Sequence, residues 1–343
     1  MTLSPADESV SPATGTGRFL PRRERNPTGD GRRTVTATIA LAVAVVLPFL
    51  VPGITGLLVV AAIFFLVSLG LTLLMGHAGQ VSLGQTLFMA IGGYGAGALT
   101  LSWHWPTTVS AIAAAALSGA VAFVLGRLFL RLRGYYFALA TLGLAVATQS
   151  LASGWTGLTG GPSGMVAIPS LQLAGYTVFS DRANYFVLLV AGILAAAFMA
   201  NVKRSQTGRV LTAIGHDPGA ASMLGINTAR YKTMAFVVSA VLASLGGSMY
   251  AFYLRFMSPE VLSVTVAFSI VIMLALGGAR TLVGPLLGAL IIQGLPIAGQ
   301  SFALWEPLVA GLLLIVVMTY LPRGIWGTFT AYLRNAARRR DSH

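Results

Sequence analysis

The chain has 343 residues, of which 56% are hydrophobic and only 9% are charged, and its mean hydropathy is +0.80. Soluble globular proteins carry about 25% charged residues, so the composition excludes a soluble protein and indicates a polytopic membrane protein. The net charge of +13 needs no nucleic acid to explain it, because basic residues that flank spanning helices contact anionic lipid headgroups. The absence of cysteine excludes disulfides and thiolate metal sites, and we expect neither a metal nor a cofactor.

The N-terminal segment, residues 1–33, contains Pro, Gly, Ser and Arg but few apolar residues, which predicts a disordered cytoplasmic tail. It does not have the pattern of a signal peptide, because the first apolar run starts late and leads into a second one without a segment typical of cleavage sites. We expect residues 34–327 to form one integral membrane domain and residues 328–343 to form a basic cytoplasmic tail.

The apolar part of the chain predicts an all-α helical bundle. No charged residue occurs between Arg33 and Arg127, whereas a spanning helix needs about 20 apolar residues, so several spans fit into this interval. The apolar runs are rich in Leu, Ala, Val and Gly and do not alternate strictly, which favours helices over the strands of a barrel. We predict ten transmembrane helices, near residues 34–51, 54–75, 81–102, 108–126, 135–153, 184–201, 232–254, 262–278, 284–300 and 305–321.

The distribution of basic residues predicts the orientation of these helices. Lys and Arg accumulate in the short cytoplasmic loops of membrane proteins. With both termini in the cytoplasm, 20 of the 22 basic residues lie on the cytoplasmic side, and only Arg182 and Arg255 lie outside. The charges therefore favour ten spans with both ends inside.

A row of small and polar residues follows the second predicted span. Gly76, Gly79, Ser82, Gly84 and Gln85 fall within ten positions, and such a row is costly against lipid. One interpretation is a break or close-packed turn that lines a translocation path. The other is helix packing through small residues, which glycine commonly serves.

Two further features flank the fifth span. Tyr135 and Tyr136 stand at its start, where an aromatic belt at the membrane interface is the simplest interpretation. The long outer loop after the span contains a turn-rich cluster with Thr159, Gly160, Gly161 and Gly164.

That cluster also resembles the Gly-x-Ser-Gly motif of intramembrane serine proteases, through Ser163. A nucleophilic serine needs a nearby base. His77 and His216 are predicted on the cytoplasmic side and His343 ends the tail, which leaves His104 as the remaining candidate base. The protease stays a remote alternative.

The segment from Lys203 to Lys232 is a polar loop between two apolar runs. Asp217 is predicted to cap a short helix that begins at Pro218 and is stopped by Gly225. Ala220, Ala221 and Gly225 are expected to present small residues on one face, where a partner can approach closely.

The sequence limits the ways in which the protein can obtain energy for transport. A phosphate-binding loop needs Gly-Lys followed by Ser or Thr, and neither lysine of the chain follows a glycine, so ATP hydrolysis of that type is excluded. Ion-coupled carriers normally keep a carboxylate inside the bilayer. Here Glu306, at the outer end of the last predicted span, is the one candidate. An ion-coupled solute carrier therefore remains an alternative to a protein that is driven by a partner.

Residues 54–327 resemble the permease subunits of branched-chain amino acid ATP-binding-cassette (ABC) importers, of the longer of the two permease types. Six segments in matching order carry the resemblance: Gly76–Gln85 with Phe88 and Gly92–Tyr94, Arg133–Leu142, Thr159–Gly164, the polar loop, Lys232–Phe236 with Ser239–Ala240, and Gly277–Thr281 leading to Gly284–Pro285. The resemblance implies a multi-pass protein of the bacterial inner membrane. It also implies a sister permease, two ATP-binding subunits on the cytoplasmic side and an extracytoplasmic solute-binding protein as partners.

The resemblance also implies roles for particular residues. The polar loop would dock on an ATPase subunit, with the coupling residues Gly208, Arg209, Ala213, His216, Asp217, Ala220, Ala221 and Gly225. The translocation path would be lined by Gly76, Gly79, Ser82, Gly84, Gln85, Tyr135, Tyr136 and Thr141. The cluster Thr159, Gly160, Gly161 and Gly164 would lie at the outer mouth.

The loop departs from the family pattern in two places. The family motif Glu-Ala-Ala-x-x-x-Gly begins with an acidic residue where this chain has Gly219, and Gly215 stands where an arginine is usual. These departures put in doubt a salt bridge to the ATPase from either position. Leucine, isoleucine or valine is the first expectation for the substrate, but urea, short amides and other hydrophobic carboxylates are transported by similar permeases.

Overall fold

The structure is a computed structural model that describes residues 44–129, 132, 134–173, 175–295 and 324–328, together with positions 308, 311, 312, 315 and 319. The chain divides into two units, residues 1–50 and 51–343. In the first unit, residues 44–50 are described and are helical.

The second unit is a bundle of helices. Its α-helices are α1 (Thr55–Leu71), α2 (Gln85–Trp103), α3 (Thr107–Phe129), α4 (Tyr135–Gly154), α5 (Thr156–Thr159), α6 (Asp181–Arg204), α7 (Gln206–His216), α8 (Pro218–Met223), α9 (Thr228–Leu254), α10 (Val264–Gly277) and α11 (Gly284–Gly294). A π-helix, Thr72–His77, continues α1, and short 3-10 helices cover Pro52–Ile54, Gly161–Ser163 and Pro259–Leu262. Strands β1 (Gln172–Leu173) and β2 (Tyr176–Thr177) form an antiparallel hairpin, in which Gln172 pairs with Thr177.

The predicted all-α polytopic fold is confirmed. Within the described residues, five helices are long and apolar enough to cross a membrane: Thr55–His77, Thr107–Phe129, Tyr135–Gly154, Asp181–Arg204 and Thr228–Leu254. They coincide with five of the ten predicted spans. Three further predictions correspond to α2, α10 and α11, of which α10 and α11 are shorter apolar helices. Most of the predicted spans 305–321 and 34–51 lies outside the described residues.

Helices α1 and α9 form the centre of the bundle. Helix α9 packs against α1, α2 and α3, and α1 also packs against α6, α10 and α11. In the most apolar stretch of Thr55–His77, 89% of the residues are buried, compared with 28% in the corresponding stretches of α4 and α6. A helix that is apolar on all sides belongs inside a bundle, which explains why α1 is central.

Glycines let α2 and α9 approach closely. A Cβ atom at Gly92 would overlap the carbonyl oxygen of Ser244, and one at Gly247 would overlap the carbonyl oxygen of Met89. The Ser248 hydroxyl then donates a hydrogen bond of 3.0 Å to the Gly92 carbonyl. Small residues commonly allow this kind of backbone contact between membrane helices.

The two ends of the bundle differ in charge. The basic end is formed by residues 76–84, 203–232 and 278–283, and its charged neighbourhood includes Lys203, Arg204, Arg209, Arg230, Lys232 and Arg280. The opposite end is formed by residues 104–106, 155–180 and 255–263, with Arg182 beside it and Arg255 within it.

Candidate functional site

The basic end carries two consecutive helices, α7 and α8, that fold back on the bundle. Helix α6 ends at Arg204, Ser205 is extended (φ −72°, ψ 173°), and α7 starts at Gln206. A Cβ atom at Gly208 would overlap the Val202 carbonyl oxygen and lie 2.5 Å from that of Lys203. The tight reversal of the chain therefore requires glycine at this position.

Helix α7 is amphipathic. Gly208, Leu211 and Ile214 are buried at a spacing of three residues, while Arg209 and His216 are exposed. This spacing is that of a surface helix with one apolar stripe. The stripe faces the bundle, and the polar residues are left free to meet another molecule.

Helix α8 begins as the sequence predicts. The Asp217 carboxylate accepts hydrogen bonds from the backbone N–H groups of Gly219 (2.8 Å) and Ala220 (3.0 Å), and Pro218 occupies the first turn. Two residues after the helix, Gly225 has a φ of +77°, the left-handed conformation that glycine adopts without steric cost. The capped helix and its stop are thereby confirmed.

The surface of α8 differs from the predicted one. Ala221 is buried, whereas Ala220 is exposed, because adjacent residues of a helix point in different directions. The two alanines therefore do not share an exposed face. Instead, Met223 and Leu224 protrude at the end of α8, with exposed fractions of 90% and 81%. Sequence reasoning missed both, although two large apolar residues directly before a glycine stop are a usable signal.

The inner side of α7 touches a break at the end of α1. There α1 passes into the π-helix Thr72–His77 and then into an irregular turn that reaches Gly84. A Cβ atom at Gly215 would overlap the carbonyl oxygen of His77, and a Cβ atom at Gly79, whose φ is +66°, would lie 3.2 Å from the carbonyl oxygen of Gly215. A side chain larger than that of glycine therefore has no room at position 215.

A third segment completes the contact at the basic end. The Lys203 ammonium donates a hydrogen bond of 2.7 Å to the carbonyl oxygen of Arg280, in the turn between α10 and α11. A Cβ atom at Gly76 would overlap the carbonyl oxygen of Ala279 in the same turn. The end of α6, the break after α1 and the α10–α11 turn are therefore in direct contact.

The turn after the break connects to α4 and α9. The backbone N–H of Leu83 donates to the Thr141 hydroxyl at 3.1 Å, and Gly84 also faces Thr141. The Gln85 amide nitrogen donates to the Ser239 hydroxyl at 3.0 Å, while its carbonyl oxygen is buried without a hydrogen-bond partner among the described residues. Ser82 is fully buried in the same turn.

The structure separates the two tyrosines from this buried group. Tyr135 and Tyr136 are exposed at the first turn of α4, with exposed fractions of 88% and 72%. Phe137 beside them is buried, and its ring lies 6.1 Å from that of Phe236. Of the predicted path residues, Gly84, Gln85 and Thr141 are thus close together, and the tyrosines are on the surface.

The residues predicted for the outer mouth form a compact turn at the opposite end. The Thr159 hydroxyl lies 2.6 Å from the carbonyl oxygens of both Ala152 and Trp155. Gly160, Gly161 and Gly164 all have positive φ angles. Directly afterwards Met165 pairs with Met257, so the turn is joined to the chain that follows α9.

For the protease alternative, the structure places Ser163 on the surface, in the glycine turn. In the described ranges no group of three or more His, Asp or Glu side chains could hold a metal ion. Glu306, on which the ion-coupled alternative depends, lies outside the described residues.

Comparison with known proteins gives a consistent set of relatives. Residues 53–319 match a family described as the permease component of the branched-chain amino acid transport system. The chain is 29% identical over 309 residues to the high-affinity branched-chain amino acid transport system permease protein LivM of Salmonella typhimurium, covering 83% of this chain and 73% of the relative.

More distant similarities cover part of the chain. It is 29% identical over 176 residues to the permease protein LivH of the same type of system from Escherichia coli, which covers 47% of this chain and 56% of the relative. It is also 29% identical over 125 residues to the autoinducer 2 import system permease protein LsrC of Enterobacter, covering 34% of this chain and 36% of the relative. No solved structure matches the chain.

Proposed function

The chain belongs to the family of permease components of branched-chain amino acid transport systems, and from this premise we propose that it is the membrane-spanning subunit of an ABC importer that works by alternating access. Energy would come from two separate ATP-binding subunits at the basic end. The substrate would be a branched-chain amino acid, as the names of the LivM and LivH relatives say of those proteins.

The observation that carries this proposal is the exposed tip of α8. It belongs to the α7–α8 segment, whose other face packs on the end of α1. Met223 and Leu224 form a compact apolar tip whose exposure to water is unfavourable. Such a tip fits insertion into a groove of a partner protein. Arg209 and His216 flank this tip along α7 and are exposed as well. We infer that Gly208, Arg209, Ala213, His216, Asp217, Ala220, Ala221 and Gly225 belong to the segment that docks on an ATPase.

The contacts behind α7 supply a route for the motion. Closure of the ATPase pair would displace α7 and α8 as a unit, because Asp217 links the two helices without an intervening loop. Gly215 would transmit this displacement to the π-helix at His77, and Lys203 would transmit it to the α10–α11 turn at Arg280. Through these contacts the π-helix and the α10–α11 turn would switch between two arrangements, as alternating access requires.

The charge asymmetry supports an orientation. We propose that the basic end faces the cytoplasm of a bacterium, that the protein lies in the inner membrane, and that residues 1–33 and 328–343 are cytoplasmic tails around the domain 34–327. Basic loops are retained on the cytoplasmic side. The opposite end, with Thr159 to Gly164, would then meet the extracytoplasmic binding protein.

A sister permease would complete the path. The same organism, Escherichia coli, has both a LivM and a LivH permease protein that are similar to this chain. We propose that this chain pairs with a second permease and that the path runs beside Gly76, Gly79, Ser82, Gly84, Gln85 and Thr141, with Tyr135 and Tyr136 at its rim. A zwitterionic substrate would there meet backbone groups and neutral side chains.

The test is to make the tip of α8 polar. In proteoliposomes that contain the full importer, Met223→Ser with Leu224→Ser should leave the assembled permease and the basal ATPase rate intact but reduce the leucine transported per ATP hydrolysed at least tenfold. Leu128→Ser is the control, because Leu128 is also an exposed leucine (62%) but lies on α3, outside α7 and α8. Unchanged coupling in the double variant would contradict the docking assignment.

A further inference from the structure

The opposite end contains an open cavity of about 530 Å³ between the β1–β2 hairpin and the end of α9. Its polar lining is Arg255, Ser170, Gln172 and Thr177, and its apolar lining includes Ile168 and Phe179. A cation, three neutral hydrogen-bonding groups and an apolar wall are thus combined in one concave site. Concave sites of this size and mixed lining are typical of small-molecule binding.

The walls of this cavity are fixed by hydrogen bonds. The backbone N–H of Gln172 donates to the buried Thr107 hydroxyl at 2.7 Å, which attaches the hairpin to the start of α3. The backbone N–H of Ile168 donates to the Arg255 carbonyl at 3.2 Å, which attaches the preceding loop to the end of α9. The cavity is therefore preformed.

The backbone holds Arg255 in an unusual conformation. Its φ is 56°, and Ala167, on the same cavity wall, has a φ of 59°. L-residues rarely adopt this left-handed region, and such positions concentrate at ligand-binding sites. The fold thus fixes the direction in which the arginine side chain leaves the chain.

The guanidinium of Arg255 is available. It is exposed, and it has no ion pair or hydrogen bond within the part of the chain that the structure describes. One acid of this end, Asp181, instead accepts a hydrogen bond of 3.2 Å from the Tyr253 hydroxyl. Arginine is the side chain best suited to bidentate recognition of a carboxylate.

We propose that this cavity is an entry site for the amino acid itself, in which Arg255 binds the substrate carboxylate and Ile168 and Phe179 contact the aliphatic side chain. The hydroxyl oxygens of Ser170 and Thr177 and the side-chain carbonyl of Gln172 can accept hydrogen bonds from the substrate ammonium. This inference rests on the proposed function, since it requires the opposite end to face the side from which the substrate comes.

Saturation-transfer NMR on the detergent-solubilised full importer without its binding protein tests the site. Leucine should receive saturation at its methyl protons, isovalerate should compete with it, and isoamylamine, which lacks the carboxylate, should not. Arg255→Gln should reduce the leucine signal at least fivefold, Arg255→Lys should restore part of it, and Arg182→Gln should leave it unchanged as the charge-matched control.

Three results would overturn the proposal. Full leucine signal in Arg255→Gln would exclude the guanidinium as the carboxylate ligand. Loss of signal with an equal fall in melting temperature in both the Gln and the Lys variants would assign Arg255 a structural role at the end of α9. No leucine signal in the unmodified importer, with Arg255→Gln raising the binding-protein concentration needed to stimulate the ATPase, would assign Arg255 to an acidic side chain of the binding protein.

Failure of the proposed function would look different. ATP-dependent leucine uptake by the unmodified importer, measured in the same preparation, tests that function alone. Uptake without a leucine NMR signal would reject the entry site and leave the transport function standing. Absence of uptake would reject the transport function, whatever the NMR result.

Discussion

Gly215 brings α7 into close contact with the π-helix that continues α1. A Cβ atom at this position would overlap the carbonyl oxygen of His77, a backbone atom that can retreat only if the π-helix moves. We expect Gly215→Ala to destabilise the permease by about 1–3 kcal/mol, the usual cost of overpacking. Leucine uptake should fall together with the melting temperature of the purified importer.

Gly143→Ala is the control for this substitution. Nothing lies within 4 Å of an added Cβ at Gly143, which is exposed on α4. Alanine is favoured over glycine in a helix by roughly 0.5–1 kcal/mol, so this variant should melt at the same temperature or higher. Equal melting temperatures for the two variants would show that the Gly215 contact is loose.

The hydrogen bond between Gln85 and Ser239 gives a second prediction for single residues. Ser239→Ala removes the partner of the Gln85 amide nitrogen and leaves both ends of a buried amide unpaired. An unsatisfied buried polar group costs about 1–3 kcal/mol, whereas replacing both partners by apolar groups can be nearly neutral. The double variant Gln85→Leu with Ser239→Ala should therefore melt at a higher temperature than Ser239→Ala alone, and the reverse order would contradict this account.

Helix α8 depends on its N-cap more than a longer helix does. It has six residues and few internal hydrogen bonds, and two of its N–H groups are satisfied by the Asp217 carboxylate. Asp217→Ala should cost about 0.5–2 kcal/mol locally and reduce the leucine transported per ATP. Asp217→Asn should keep the coupling ratio near normal, because asparagine caps as well as aspartate.

The two substitutions also separate capping from charge. A loss of coupling of equal size in Asp217→Asn would mean that the carboxylate acts as an ionic contact with the ATPase and that its role as a cap is secondary. Circular dichroism of the importer is too coarse to detect one short helix, so the coupling ratio is the measurement that decides.

The sequence predicted some elements and missed others for identifiable reasons. The short helix at Pro218 was predictable, because its cap and its stop are local signals. Helix α7 was missed within the polar loop, although its buried residues Gly208, Leu211 and Ile214 recur at helical spacing. For the row Gly76–Gln85 the sequence left open a break or helix packing through small residues. The structure has a break there, as the π-helix and the turn that follows it, and Gly76 also packs closely against Ala279.

Contacts between distant segments could not be predicted. Nothing in the sequence near Lys203 or Arg280 indicates that the two residues meet, since 77 positions separate them. Gly76 was noted as one of a row of small residues and Gly215 as a departure from the family pattern, but which backbone each one faces depends on how the helices pack. The same limit applies to the Arg255 cavity, which is assembled from two segments that the sequence separates.

At the scale of the whole molecule, the described part of the chain has one end rich in basic residues and one end with few. In membrane proteins a charge asymmetry of this kind governs the direction of insertion. The α7–α8 segment and the Arg255 cavity lie at different ends of the bundle. The proposed ATPase contact and the proposed entry site therefore require the same orientation, and one experiment can test both.

The absence of cysteine makes this orientation directly measurable. Ser222→Cys places a thiol on exposed α8 at the basic end, and Tyr176→Cys places one on the exposed hairpin at the opposite end. In intact spheroplasts a membrane-impermeant maleimide should label Tyr176→Cys and leave Ser222→Cys unlabelled, whereas after permeabilisation both should react. The unmodified chain, which has no thiol, gives the background. Labelling of Ser222→Cys in sealed spheroplasts would place the α7–α8 segment outside the cell, where no ATPase subunit can reach it, and the coupling assignment and the entry site would fail together.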